Sequence, residues 1–287
     1  MLRENMTHFE KLVVEELPSP EFIQRFQTSW QNEELTYRPF LYLKNKERLD
    51  QIGLIVRPAK DEPIGFAHVD KSDQLLLSPM PQQAVECLCR HLIERNILFP
   101  GIFGPGREAR NLAKSLETAR GPEFHIAKRL IHWKLHKLKT QPKASGSARR
   151  ATLCEAETIA EMFDNMQRET NTQRQFNSQA MVKYTLDDHR LYVWEMANGQ
   201  IGCVAIVTLG SAETKHGTIE RVFTPMPHRG NGFARALIWN VANTMLGQKP
   251  GIFLSSDADE FVPTKLYQSL GFETHSTMVN LRQSLHR

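Results

Sequence analysis

The 287-residue chain holds four cysteines, Cys87, Cys89, Cys154 and Cys203. Cys87 and Cys89 stand two apart on a predicted helix and point to different sides of it, so they make a poor metal pair. His189, His216 and His228 are scattered, without the His/Glu spacing of a metal centre, and no metal is expected. Few, separated thiols suit reduced side chains in a cytoplasm rather than a disulfide framework. The sequence also lacks any run of eighteen apolar residues, which excludes a membrane-spanning helix. Its start, Met-Leu-Arg-Glu-Asn-Met, has no apolar core of the kind an export signal carries. Two nucleotide fingerprints are missing as well. There is no Gly-x-Gly-x-x-Gly followed by an acidic strand end, and no Gly-Lys-Ser/Thr of a Walker loop.

What is present is globular: 40% hydrophobic and 24% charged residues, enough chain for one large domain or two ordinary ones. The net charge of +4 is concentrated. Lys128, Arg129, Lys134, Lys137, Lys139, Lys143, Arg149 and Arg150 share a window without an acid. A nucleic-acid surface fits such a window. So does a solvated strand face running into a basic linker, and the partial alternation of apolar and basic residues over Phe124 to Leu138 favours it.

The most informative stretch is Ile219 to Ile238. Glu220, Val222 and Thr224 alternate with Arg221 and Phe223 as in a strand. Pro225 and Pro227 end the ladder, having no backbone N–H to give. Gly230 and Gly232 allow backbone angles other residues resist and let a ligand approach the main chain. Phe233, Leu237, Val241 and Met245 then recur at helical spacing. Strand, glycine turn and helix start together present unpaired amides and a positive dipole end, a site for phosphate.

Arg229-Gly230-Asn231-Gly232-Phe233-Ala234 resembles the Arg/Gln-x-x-Gly-x-Gly/Ala signature of the GNAT superfamily, the acetyl-CoA-dependent N-acyltransferases. Leu266 to Phe272, in which Tyr267 precedes the Gly271-Phe272 pair by four residues, is similar to a second signature of that family. The resemblance implies acetyl-CoA as cofactor. Backbone amides of residues 229–234 hold its diphosphate, the Arg229 side chain adds a contact, and the pantetheine arm lies along Val222, Phe223 and Thr224. It further implies that Tyr267 protonates the leaving thiolate and that Glu220 acts as the base, directly or through water. For Glu220 a strand-face ion pair is the other reading, and for Tyr267 a core tyrosine. Asp257, Asp259 and Glu260 fit either a lure for a cationic substrate or a solvated loop. The chain departs from the family near Glu260, where many members carry an asparagine that helps hold the arm.

Thr140 to Ala148 is polar and carries Pro142 and Gly146, as linkers do. It divides the chain into an N-terminal domain (1–140), a linker (141–148) and an acetyltransferase domain (149–287). The second half reads as strand (Arg150–Thr152), helices (Glu155–Arg168 and Ser178–Asp187), and strands Leu191–Met196, Ile201–Leu209 and His216–Thr224. The long helix, a strand at Ile252–Ser255, a helix at Pro263–Leu270 and a strand pair near Glu273–Leu281 follow. The first half repeats that order more faintly. It has a helix at Pro20–Trp30, strands at Leu54–Arg57, Ile64–Val69 and Gln74–Leu77, and a helix at Pro81–Arg95. A strand at Ile97–Phe103, a helix at Arg107–Ala119 and a strand pair at Glu123–Leu138 complete it. Where its phosphate turn should lie stands Ser78-Pro79-Met80-Pro81, without glycine and short of two amide donors. The chain thus resembles bacterial tandem-GNAT proteins with a degenerate N-terminal half.

The expected fold class is therefore α/β (α+β): two GNAT-like domains, each a mixed, mostly antiparallel sheet flanked by helices. The expected function is transfer of acetyl from acetyl-CoA to a primary amine, small molecule or peptide, by direct attack in a ternary complex. Two alternatives stay open. One is an acyl-CoA-binding regulatory protein without turnover, the other an RNA-associated protein using residues 128–150.

Overall fold

The computed structural model describes residues 12–17, 21, 22, 24, 51–58, 62–70, 74–121, 123–170, 176–209 and 216–284. Most of the helix expected at Pro20–Trp30 lies outside them. The described residues up to His132, with Asp257–Asp259 and those from Ser276 on, form one unit; Trp133–Ser256 and Glu260–His275 form the other. Among the described residues no helix is long and apolar enough to cross a membrane.

The first unit begins with an antiparallel meander of β1 (Leu12–Leu17), β2 (Gln51–Pro58), β3 (Gly65–Asp70) and β4 (Gln74–Leu77). Helix α1 (Gln82–Glu94) crosses over to β5 (Gly101–Pro105), which runs parallel to β4. Helix α2 (Gly106–Arg120) leads to β6 (Phe124–Leu135), and the sheet edge beside β5 is filled by β12 (Glu273–Gln283), antiparallel in the register Met278 with Pro105. The apolar stripes of α1 and α2 build the core here. Leu88, Leu92 and Leu112 are fully inaccessible, with Leu54, Leu75 and Ile102 from the sheet. Burial of each such side chain contributes about 2–3 kcal/mol.

In the second unit β7 (Ser147–Arg150) is followed by α3 (Ala156–Glu169) and α4 (Ser178–Asp187). The antiparallel strands β8 (Leu191–Glu195), β9 (Ile201–Thr208) and β10 (Gly217–Phe223) come next. Helix α5 (Phe233–Leu246), strand β11 (Ile252–Asp257), parallel to β10, and helix α6 (Phe261–Leu270) complete the unit. Ile159, Phe163, Val182, Val193 and Val204 pack one face of this sheet. Both units are α+β, with a mixed, mostly antiparallel sheet and helices packed against it.

Three strand expectations need correction. Phe124–Leu135 and Glu273–Gln283 are each one long strand, not strand pairs, because neither contains a glycine or proline to turn the chain. The strand expected from Ile97 starts only at Gly101. Pro100 just before it has no N–H to join a ladder, and Ile97 N is spent on Leu92 O. Residues 147 and 148, at the end of the expected linker, already pair with Glu195 and Trp194.

The start of α3 is fastened electrostatically. A capping box links Thr152 with Glu155, whose carboxylate also takes a 2.6 Å bond from Arg149, and Arg149 reaches on to Glu195. The Arg149 hydrogen bond, followed by those from Thr152, draws the Glu155 carboxyl down to about 2 against the opposing effect of burial. A lowered native value stabilises above the ordinary carboxylate range, and that stabilisation is lost as pH falls toward 2. Glu155→Gln is expected to cost about 2 kcal/mol at pH 7 by urea unfolding, a difference that shrinks as the pH is lowered from 4.5.

Candidate functional site

A cleft of about 720 Å³ opens in the second unit between α5, α6 and the end of β10. Strand splay creates it. The β10–β11 ladder pairs Gly217 with Ile252 and Thr218 with Phe253 and then ends. On its other edge β10 shifts register against β9 between Glu220 and Phe223, and Arg221 there takes φ 44°. A non-glycine residue in that region marks a bulge that re-aims the strand. Beyond it Val222, Phe223 and Thr224 line the cleft instead of pairing with β11.

The glycine turn forms the next wall. Gly230 and Gly232 have φ of 80° and 78°, and Gly232 caps α5 from the left-handed region. The first turn of α5 has no side-chain cap and no acidic residue, so its leading amides and the positive dipole end face the opening unopposed. Position is set by packing at both ends of the helix. A Cβ on Gly202 would lie 2.8 Å from the Phe233 ring, and one on Gly217 would lie 2.4 Å from the Met245 methyl. Phe233 also stacks on Trp194 at 6.4 Å.

The residues named from sequence separate as follows. Val222, Phe223, Thr224, Arg229, Gly230, Gly232, Phe233, Ala234 and Tyr267 come together on the cleft. Asn231 belongs to the same loop but turns its amide inward, donating to the carbonyls of His228 and Arg229 at 3.1 and 3.2 Å. Glu220 is not among the lining residues. Its carboxylate receives the Thr218 hydroxyl at 3.4 Å and lies 3.5 Å from Arg221. Asp257 and Asp259 pair with Lys128 and Arg129, at 3.3 and 2.6 Å. Glu260, at the start of α6, does line the cleft.

Tyr267 sits on α6 as the spacing implies. Gly271 ends that helix at φ 106°, which swings Phe272 back to pack edge-on against the Tyr267 ring at 5.8 Å. Trp133 holds the other side at 6.1 Å and is itself fixed by a 2.8 Å bond from its Nε1 to Ser256 Oγ. Burial, reinforced by Cys203 and Glu260 nearby, pushes the phenol well above its ordinary value, so the proton stays on oxygen. Burial also pushes the Cys203 thiol up to about 12, which leaves it neutral and poorly nucleophilic.

Sequence reasoning passed over Arg235. It lines the cleft within the first turn of α5, and its Nε is buried without a hydrogen-bond partner. An orphaned guanidinium N–H beside uncapped amides fits an anion and leaves a cost when none is bound. The residues present at this turn would fit a diphosphate. The corresponding turn of the first unit is closed. Ser78 Oγ takes the Phe66 amide at 2.9 Å, Met80 is buried on Gly65, and Pro81 stands at the N-terminus of α1.

Among the described residues no group of three or more metal-ligating side chains occurs. Much of the basic window makes intramolecular contacts at the surface. Besides the pairs of Lys128, Arg129 and Arg149, Lys134 lies over Phe253, Lys139 bonds the Gln268 carbonyl and Arg150 stacks on Tyr192.

Residues 187–274 match the family model described as the acetyltransferase (GNAT) domain. No curated protein matches the chain in sequence. Among solved structures, a GCN5-related N-acetyltransferase from Sphaerobacter thermophilus is 14% identical, with 95% of each chain covered and a TM-score of 0.64. A GNAT-family acetyltransferase from Colwellia psychrerythraea is 12% identical, covering 95% of this chain and 100% of its own, at 0.65. A tandem GNAT protein from the clavulanic acid biosynthesis pathway is 11% identical, covering 95% and 98%, at 0.52. These likenesses show a GNAT fold.

Proposed function

We propose that the chain, an acyltransferase by the match of residues 187–274 to the acetyltransferase (GNAT) domain, moves an acetyl group from acetyl-CoA to a primary amine. The observation that carries this reading is one cleft joining three things: uncapped amides at a glycine-turned helix start, an orphaned Arg235 Nε, and a phenol held protonated. When bound, acetyl-CoA supplies an activated thioester acyl group. The amides at the start of α5 and the Arg235 guanidinium hold the diphosphate, and the edge of Val222–Thr224 aligns the pantetheine arm. Tyr267 holds the proton that a departing thiolate requires. Glu220, two residues before Val222, is the proposed base, relieving the amine of its proton through water. The buried, neutral Cys203 does not line the cleft, which favours direct attack by the amine over an acyl-cysteine route. The first unit, with its phosphate turn filled by Met80, is read as a degenerate copy that does not bind the donor, and the cytoplasm as the site of action.

Arg235→Gln is expected to weaken acetyl-CoA binding about tenfold at low salt, and less as salt is raised, by titration calorimetry. An amine library incubated with acetyl-CoA and read by free thiol release tests the reaction. Thiol released only with certain amines supports it. Tight binding with no release by any amine turns the assignment toward an acyl-CoA-binding module.

A further inference from the structure

The segment from Thr224 to Arg229 turns sharply between β10 and the glycine loop, yet Pro225 and Pro227 remove two of its N–H donors. Its backbone closes through His228 N to Pro225 O at 2.9 Å and Arg229 N to Met226 O at 3.2 Å. The Arg229 side chain provides the remaining closure. Its Nε donates to the Thr224 carbonyl at 2.9 Å, its guanidinium lies 5.8 Å from the Phe223 ring centre, and a terminal nitrogen pairs with the Glu169 carboxylate. Arg229 therefore directs its donors at the protein, whereas Arg235 keeps its Nε without a partner.

Glu169 is the last residue of α3, sixty positions before Arg229 and outside the matched 187–274 segment, and it lines the same cleft. We infer that Glu169 is a positioning residue for donor binding: through Arg229 it fixes the turn that presents the amides of residues 230–234 to the diphosphate. The inference deepens the acetyl-CoA reading and rests on it. Two effects follow from the geometry. Without Glu169, Arg229 loses the anion that orients it, and binding must then order the turn at its own expense. Without Arg229, the Glu169 carboxylate is unmasked beside a site meant for negative charge, which repels the donor.

The two substitutions therefore have unequal and non-additive consequences. By calorimetry, Glu169→Gln is expected to weaken acetyl-CoA about threefold to fivefold, the scale of a half-exposed ion pair. Arg229→Gln is expected to weaken it about twentyfold. The double variant binds better than Arg229→Gln alone, because the repelling carboxylate is gone. S-acetylpantetheine, which has no diphosphate, keeps its wild-type affinity in all three, and the thermal midpoints stay within a degree or two. Multiplicative losses, equal losses toward both thioesters, or unaltered acetyl-CoA affinity in Glu169→Gln each overturn the inference while leaving the acetyl-CoA reading intact. Folded wild-type protein that ignores acetyl-CoA overturns both.

Discussion

Gly232→Glu is expected to abolish acetyl-CoA binding, with affinity lowered more than 100-fold while the protein stays folded. The position has φ 78°, where an L-residue costs about 1–2 kcal/mol. Space is not the obstacle, since a Cβ there would meet only the Lys143 carbonyl, at 3.9 Å. The carboxylate is. It would lie at the positive end of α5 and take the uncapped amides for itself, a contact that favours the helix while excluding a diphosphate. Gly232→Ala separates the contributions: it brings the backbone strain without the charge, and a loss of tenfold or less is expected. Calorimetry beside thermal unfolding checks both.

Tyr267→Phe carries the second large effect. The ring keeps its packing on Trp133 and Phe272, and only the proton donor disappears. Turnover at saturating substrates is expected to fall about 100-fold, with donor affinity unchanged within a factor of two or three. An unchanged rate would remove Tyr267 as the acid. The upward shift of the phenol sets the pH behaviour. A native value raised above the ordinary tyrosine range leaves the hydroxyl protonated up to about pH 10, so Tyr267 imposes no alkaline limb on activity below that. Its stabilising contribution is whole below the ordinary value and is lost as pH rises above it. Stability of the wild type should therefore decline on the alkaline side, and less so in Tyr267→Phe.

The glycine turn ahead of α5 was legible because its requirements are local. Positive φ at two glycines, prolines ending a strand and a four-residue apolar repeat are all written in consecutive residues, and the structure sets the two glycines at positive φ directly ahead of α5. Gly271-Phe272 was legible for the same reason, the glycine reversing the chain so that phenylalanine reaches the tyrosine ring. Partnerships between distant segments were not. That Arg229 binds Glu169 follows from where α3 ends, and that Glu220 is engaged with Thr218 and Arg221 follows from a bulge no residue type announces. Arg235 follows the motif directly and was passed over. Its importance appears only once the packing of α5 buries its Nε without a partner. Strand pairs were expected at Glu123–Leu138 and near Glu273–Leu281, yet Phe124–Leu135 and Glu273–Gln283 each run as one long strand, with no glycine or proline in either to turn the chain.

Titration calorimetry of the whole chain with acetyl-CoA bears most directly on the claim that one diphosphate-binding turn, in the second unit, serves the reaction. One equivalent bound per chain, lost on Gly232→Glu, is the result expected. No association by well-folded protein, a second equivalent, or binding that survives Gly232→Glu would contradict it.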